Sequence, residues 1–278
     1  MSSMDNRAVT GAFVMDPLAS LGAEFQRDPA TILLVCVITA LSYSAQALTG
    51  FGGAVLGMPV LSVFKRLPVG SAVPVFSLLD VVGGVINLWK FIGRADRTQI
   101  ALLSLPMIVG TGAGVWLLEI VPNRWMLGLL GVFVLAVAAI NLLGLHAGLL
   151  RNLSTASGAI AGLCAGLFGG LFAGMFGTGG PIYALYLSNR LDEPNVASTV
   201  GSFLAISAFV RATILLLRGL YADPQIIAIA LAAIPFVVAS MLLTHEYGKM
   251  VPAKTVANGL RWILLIAGVL LILRALEI

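Results

Sequence analysis

The sequence predicts an all-α polytopic membrane protein made of two homologous halves, with about eight full-length helices and two short ones. Three observations carry that expectation. Of the 278 residues, 59% are hydrophobic and 10% are charged, with a mean hydropathy of +1.04. A soluble domain carries roughly 25% charged residues, so a water-soluble fold could not cover its surface. Soluble enzymes, nucleic-acid-binding proteins and disordered chains are excluded together. The apolar residues also fall in runs near the ~20 residues that cross a bilayer core. Finally, the order long–short–long–long–long occurs twice.

Taken in chain order, residues 1–29 are mixed in charge, and their apolar run Ala8–Met15 is too short to span. Asp5 and the lack of a small-residue cleavage site argue against a signal peptide, so an interfacial or loosely ordered arm is expected. The first half, 30–150, holds long stretches at Ala30–Leu48, Val69–Ile92, Ile100–Val121 and Trp125–Leu145, with a short one at Ala54–Phe64. The second half, 151–278, holds Leu153–Met175, Val196–Leu217, Ile226–Leu243 and Val256–Leu276, with a short one at Pro181–Leu187. Brief connectors such as Lys65-Arg66-Leu67-Pro68 leave no room for a soluble domain. The net charge of +4 does not mark a nucleic-acid partner, because the basic residues lie singly or in pairs at the ends of apolar runs, as in membrane proteins. Cys36 and Cys164 each sit inside an apolar run, which argues against a disulfide framework or a zinc site. His146 and His245 have no ligand-like neighbours. No metal and no cofactor is expected.

Several matches support an internal duplication. Leu48-Thr49-Gly50-Phe51-Gly52-Gly53 lines up with Met175-Phe176-Gly177-Thr178-Gly179-Gly180, each opening a short segment. Gly93–Asp96 matches Gly219–Asp223, Pro106 matches Pro235, and Arg124-Trp125 with Gly131 matches Arg261-Trp262 with Gly268. Each half crosses three or five times, depending on whether its first two segments re-enter or span. Both counts are odd, so both give inverted repeats. Basic residues exchange accordingly: Lys90, Arg94 and Arg97 against Arg218 alone, and Arg124 alone against Lys249, Lys254 and Arg261. The positive-inside rule then puts the N-terminus outside, although the Lys65–Arg66 loop departs from the pattern. Duplication with paired glycine-interrupted short segments is a sequence pointer to a secondary transporter.

Glycine lets the backbone approach a ligand closely, and a break before a helix leaves N–H groups pointing along the positive end of its dipole. In a bilayer such backbone is tolerated where it is buried in protein or lines a cavity. One break per half therefore describes two helix N-termini converging on an anion. The candidate contacts are Gln46, Thr49, Gly50, Gly52 and Gly53 from the first break, with Ser42, Tyr43 and Ser44 beside them. The second break supplies Gly177, Thr178, Gly179 and Gly180, followed by Tyr183 and Tyr186. The competing explanation is close helix packing by small residues.

Intramembrane charges are costly and mark function. Arg211 and Asp80 lie inside corresponding stretches of the two halves. Arg211 suits two-pronged binding of an oxyanion, and Asp80 is its charge partner or a carrier of a coupling proton. A purely structural ion pair is the alternative. Lys90 and Arg218 sit near segment ends and snorkel. Asn87 and Asn141 either line the path or bond to a neighbouring helix.

On Gly50-Phe51-Gly52-Gly53 with Pro59, and Gly177-Thr178-Gly179-Gly180-Pro181, the chain resembles the TauE/SafE sulfite exporter family, also called the four-toluene sulfonate uptake family. The resemblance covers residues 30–276, and this chain departs from the common triple-glycine pattern at Ala54 and Pro181. It implies a multi-pass protein of the bacterial inner membrane that moves sulfur-containing anions: sulfite, sulfoacetate and related organosulfonates, or thiosulfate. The expected function is a secondary transporter exporting such anions; a passive channel for small anions is the alternative. No GxxxxGK[ST] loop offers ATP drive, and no HExxH or catalytic carboxylate pair suggests an enzyme. The implied partners are the anion and the lipid bilayer, with no nucleic acid, and the oligomeric state is left open, a homodimer included.

Overall fold

A computed structural model describes residues 28–49, 53–64, 67–143, 155–248 and 253–277. Residues 1–27 of the N-terminal arm, Gly50, Phe51, Gly52, Lys65, Arg66, His146 and Lys249 lie outside the described residues. Ten α-helices lie within them: α1 (Pro29–Thr49), α2 (Gly53–Val63), α3 (Val69–Phe91), α4 (Arg97–Ile120), α5 (Asn123–Leu142), α6 (Thr155–Phe176), α7 (Gly180–Leu187), α8 (Glu193–Leu217), α9 (Pro224–Tyr247) and α10 (Ala253–Glu277). Eight of them are long and apolar enough to cross a membrane. The expected all-α polytopic architecture is therefore the observed one. Helices α2 and α7 are the two short ones, each starting at its glycine cluster.

Local chemistry fixes the ends. Asp28 accepts from the Thr31 N–H at 3.1 Å and from its hydroxyl at 2.6 Å, which starts α1. Asp96 and Asp223 each follow a short 3₁₀ turn and cap α4 and α9, accepting from the N–H of Gln99 and of Gln225 at 2.9 Å. A side-chain oxygen satisfies an orphan N–H of the first helical turn in this way. Most of the long helices are apolar on every side. All four tryptophans, Trp89, Trp116, Trp125 and Trp262, are exposed, and the first three lie within about two turns of a helix end, where aromatic rings sit at a bilayer interface.

The helices pack in recognisable pairs: α4 on α6, α9 on α1, α8 on α3 and α10 on α5. Their relative directions follow from which residues meet. Helix α6 runs parallel to α4, since Gly166 lies on Leu103, Gly170 on Met107 and Gly174 on Thr111. Helix α9 runs parallel to α1: the Cys36 thiol reaches the Ala232 carbonyl at 3.6 Å and Leu48 covers Gly248. Helices α3 and α8 are antiparallel, with Asp80 at Arg211 and Gly84 at Ala205. Helices α5 and α10 are also antiparallel, with Gly131 at Gly268 and Gly128 at Ala275. Arg124 donates to the Ala275 carbonyl at 2.8 Å, and Arg274 donates to the Ser62 carbonyl, tying the end of α10 to the end of α2.

The α4–α6 seam is backbone against backbone. A Cβ added at Gly110, Gly114, Gly170 or Gly174 would collide with a carbonyl oxygen of the facing helix. Here the packing explanation for glycine holds, in the small-xxx-small spacing that membrane helices use. Gly170→Val is expected to cost about 1–3 kcal/mol or more, the usual scale for overpacking. Thermal denaturation in detergent checks this; an unchanged melting temperature would mean that the seam can open without loss.

Candidate functional site

The first break places polar groups by simple capping logic. Helix α2 starts at Gly53, whose N–H donates to Gln46 Oε1 at 2.6 Å. The next N–H, from Ala54, faces the Asp80 carboxylate. The first turn of α2 thus meets an oxygen from α1 and a carboxylate from α3, as its dipole favours. The Tyr43 ring fills the space where a Cβ at Gly53 or at Gly83 would sit, 2.9 Å away in both cases. Its hydroxyl donates to Asp80 Oδ1 at 2.6 Å.

The second break is built differently. Helix α6 ends at Gly177, whose φ of 75° is left-handed, the conformation glycine adopts at helix C-termini. The Gly177 N–H still bonds to the Ala173 carbonyl at 2.9 Å. Gly179 follows, and Pro181 in the first turn of α7 is pre-set for a helix start. A Cβ on Gly177 would lie 2.8 Å from Ala54 Cβ, 2.9 Å from Arg211 Nη1 and 3.1 Å from Asp80 Oδ2. The two breaks therefore touch each other and the buried charges at one point.

Arg211 is 1% exposed. Its Nη2 donates to Asp80 Oδ2 at 2.7 Å, its Nε to Ser77 Oγ at 3.1 Å and its Nη1 to the Ala173 carbonyl. Ser77 neighbours Tyr221, whose hydroxyl donates to the Pro74 carbonyl at 3.3 Å. Tyr221 lies in the connector between α8 and α9; burial pushes its phenol up, and Ser77 and the Arg211 charge partly offset that. A buried ion pair gains from Coulomb attraction only when hydrogen bonds satisfy its remaining groups, and here three elements supply them.

The structure thus brings together Gln46, Gly53, Asp80, Gly177 and Arg211. Thr178, Gly179 and Gly180 lie next to this point and are buried. Gly179 presses on the Gly169 carbonyl of α6, so its missing side chain serves packing. The Thr178 hydroxyl is buried with no hydrogen-bond partner. Thr49 is the last residue of α1, while Gly50 and Gly52 lie outside the described residues. Arg218 pairs with Glu119 at 3.0 Å on the exposed end of α8. Sequence reasoning placed Tyr43 beside the break without giving it a role, and it missed Ser77 and the carbonyl of Ala173. Ser77 stands one helical turn before Asp80, a spacing that puts both on one face of α3; a backbone carbonyl leaves no sequence signal.

Broken helices that start beside a buried ion pair, inside a bundle of membrane-spanning helices, define a membrane transporter of the discontinuous-helix kind. Among the described residues no group of three His, Cys, Asp or Glu side chains could hold a metal. The chain matches the family described as "Sulfite exporter TauE/SafE" over residues 11–274, and it belongs to that family. It is accordingly a multi-pass transporter of the bacterial inner membrane and not an enzyme. No curated protein and no solved structure matches it.

Proposed function

We propose that this transporter is a secondary carrier for small sulfur-containing oxyanions, sulfite, sulfoacetate or a related organosulfonate, which bind where α2 and α7 begin. The observation that carries the proposal is the contact of Gly177 with Ala54, Arg211 and Asp80. At that point the carboxylate and the guanidinium cancel, leaving the positive ends of two helices to favour an anion. The substrate contacts are drawn from Gln46, Thr49, Gly50, Gly52, Gly53, Gly177, Thr178, Gly179, Gly180 and Arg211, with Asp80 as charge partner.

The two halves, 30–150 and 151–278, are read as inverted repeats. The pairing of α4 with α6 is answered by that of α9 with α1, both parallel, while α3 with α8 and α5 with α10 are antiparallel. A two-fold axis in the membrane plane generates this pattern. The equivalent glycines Gly131 and Gly268 support it, since each would press a Cβ toward the other's carbonyl, at 3.1 and 3.3 Å. Two such halves rocking around one fixed site give alternating access.

Counterflow in liposomes tests the proposal. Labelled sulfite or sulfoacetate should accumulate faster when unlabelled anion is loaded on the opposite side, because a carrier returns faster when loaded. Unsaturable flux without trans-stimulation would identify a channel instead.

A further inference from the structure

Asp80 makes the contacts expected of a bound anion. Its carboxylate accepts from a guanidinium N–H of Arg211 and from the Tyr43 hydroxyl, and it faces the Ala54 N–H in the first turn of α2. These are the donors that a sulfonate or sulfite oxygen would use at this point. From this geometry we infer that Asp80 is a tethered competitor for the transported anion, and that each monovalent anion bound loads one proton onto Asp80, making the carrier an anion–proton symporter. The inference rests on the anion site proposed above.

Charge balance is the reason. In the empty site Asp80 and Arg211 sum to zero. A monovalent anion that takes over Arg211 and the Ala54 N–H would leave two negative charges beside one positive charge in a low-dielectric interior. Like charges at contact distance raise the proton affinity of the weaker acid. The Asp80 carboxylate then takes a proton from the side open to water and becomes a neutral acid. Arg211 and the bound anion again sum to zero, so both the empty and the loaded carrier can cross without exposing net charge to the bilayer core. A protonated carboxyl has one donor and one acceptor oxygen, so it can donate to the Tyr43 hydroxyl, reversing the present bond.

The groups facing Asp80 restrict the assignment. Among the described residues, α1 presents Tyr43, α8 presents Arg211 and α2 presents the Ala54 N–H; α6 presents Gly177, and the Ala173 carbonyl binds Arg211. Tyr221, beyond Ser77, bonds to the Pro74 carbonyl. Neither tyrosine is acidic enough to be the group that is ionised in the empty site at neutral pH. Among the described residues, Asp80 is the one carboxylate at this point.

The test is a proton count on the purified full chain. Methanesulfonate, a permanently ionised monoanion, and sulfite are titrated by calorimetry in two buffers of different ionisation enthalpy. With methanesulfonate the wild type should take up about one proton per anion bound, with affinity rising up to about tenfold per unit fall in pH. Whatever anion binding remains in Asp80→Asn should take up no proton. In liposomes, methanesulfonate flux should not respond to an imposed membrane potential. Methanesulfonate binding without proton uptake, or flux that follows the potential, overturns the symport inference and leaves the anion site standing. Absence of binding of both anions by the folded wild type overturns the site and the inference together. The wild-type proton count decides the matter even if Asp80→Asn does not fold.

Discussion

Removing either member of the Asp80–Arg211 pair is expected to destabilise the fold strongly, while the conservative change Arg211→Lys separates structure from binding. Arg211→Ala leaves the Asp80 carboxylate buried beside only the Tyr43 hydroxyl and the Ala54 N–H. Breaking one side of a buried pair costs about 3–5 kcal/mol. The double variant Asp80→Ala with Arg211→Ala should recover part of that loss, since no charge is left uncompensated. Arg211→Lys keeps the positive charge near Asp80 but cannot reach Ser77, Ala173 and Asp80 at once, because an ammonium lacks the planar fork. Sulfonate affinity should then fall about 10- to 100-fold, the loss of one charged hydrogen bond, in a protein that still folds. Thermal shift with and without sulfoacetate measures both quantities on the same samples. Undiminished binding by a folded Arg211→Lys protein would make this arginine structural alone.

The other large effect belongs to Gly177→Val. A left-handed backbone costs a non-glycine residue roughly 1–2 kcal/mol, and β-branched side chains tolerate it least. The added Cβ would also push on Ala54, Arg211 and Asp80 together. Strain and collision add to about 2–5 kcal/mol, concentrated at the point where the breaks meet. Anion counterflow should drop to background even in the fraction of protein that elutes as a folded species. Gly179→Val presses on the Gly169 carbonyl instead, so its damage should appear first as lost stability. Equal flux for Gly177→Val and wild type would remove the close-approach role of this glycine.

Much of the architecture was legible because a bilayer imposes a single length and composition on every crossing. The expected helix limits lie within a few residues of those observed. The differences fall at helix ends, as at the start of α4, where the Asp96 cap extends an apolar run. The charged pair was also legible, since a lone arginine in an apolar helix needs a partner and Asp80 lies on the corresponding helix. What could not be read was the function of individual glycines. Gly177 and Gly179 belong to one cluster, yet one carries a left-handed turn against the charges and the other a helix contact. That distinction depends on which atoms lie opposite, and no spacing rule encodes it. The saturation of Arg211 was hidden for a similar reason: its third partner is a main-chain carbonyl at the end of α6.

The central claim is that the transported anion sits between the starts of α2 and α7, against Arg211. Selenite, the heavier analogue of sulfite, locates the site directly through its anomalous scattering in crystals of the full chain. A selenium peak is predicted within about 4 Å of the Arg211 guanidinium and the Ala54 N–H, its oxygens making charge-assisted hydrogen bonds, with the Asp80 carboxylate turned away. A peak elsewhere in the bundle, with Asp80 still bound to Arg211 and Gly177 still closed on Ala54, would contradict the account.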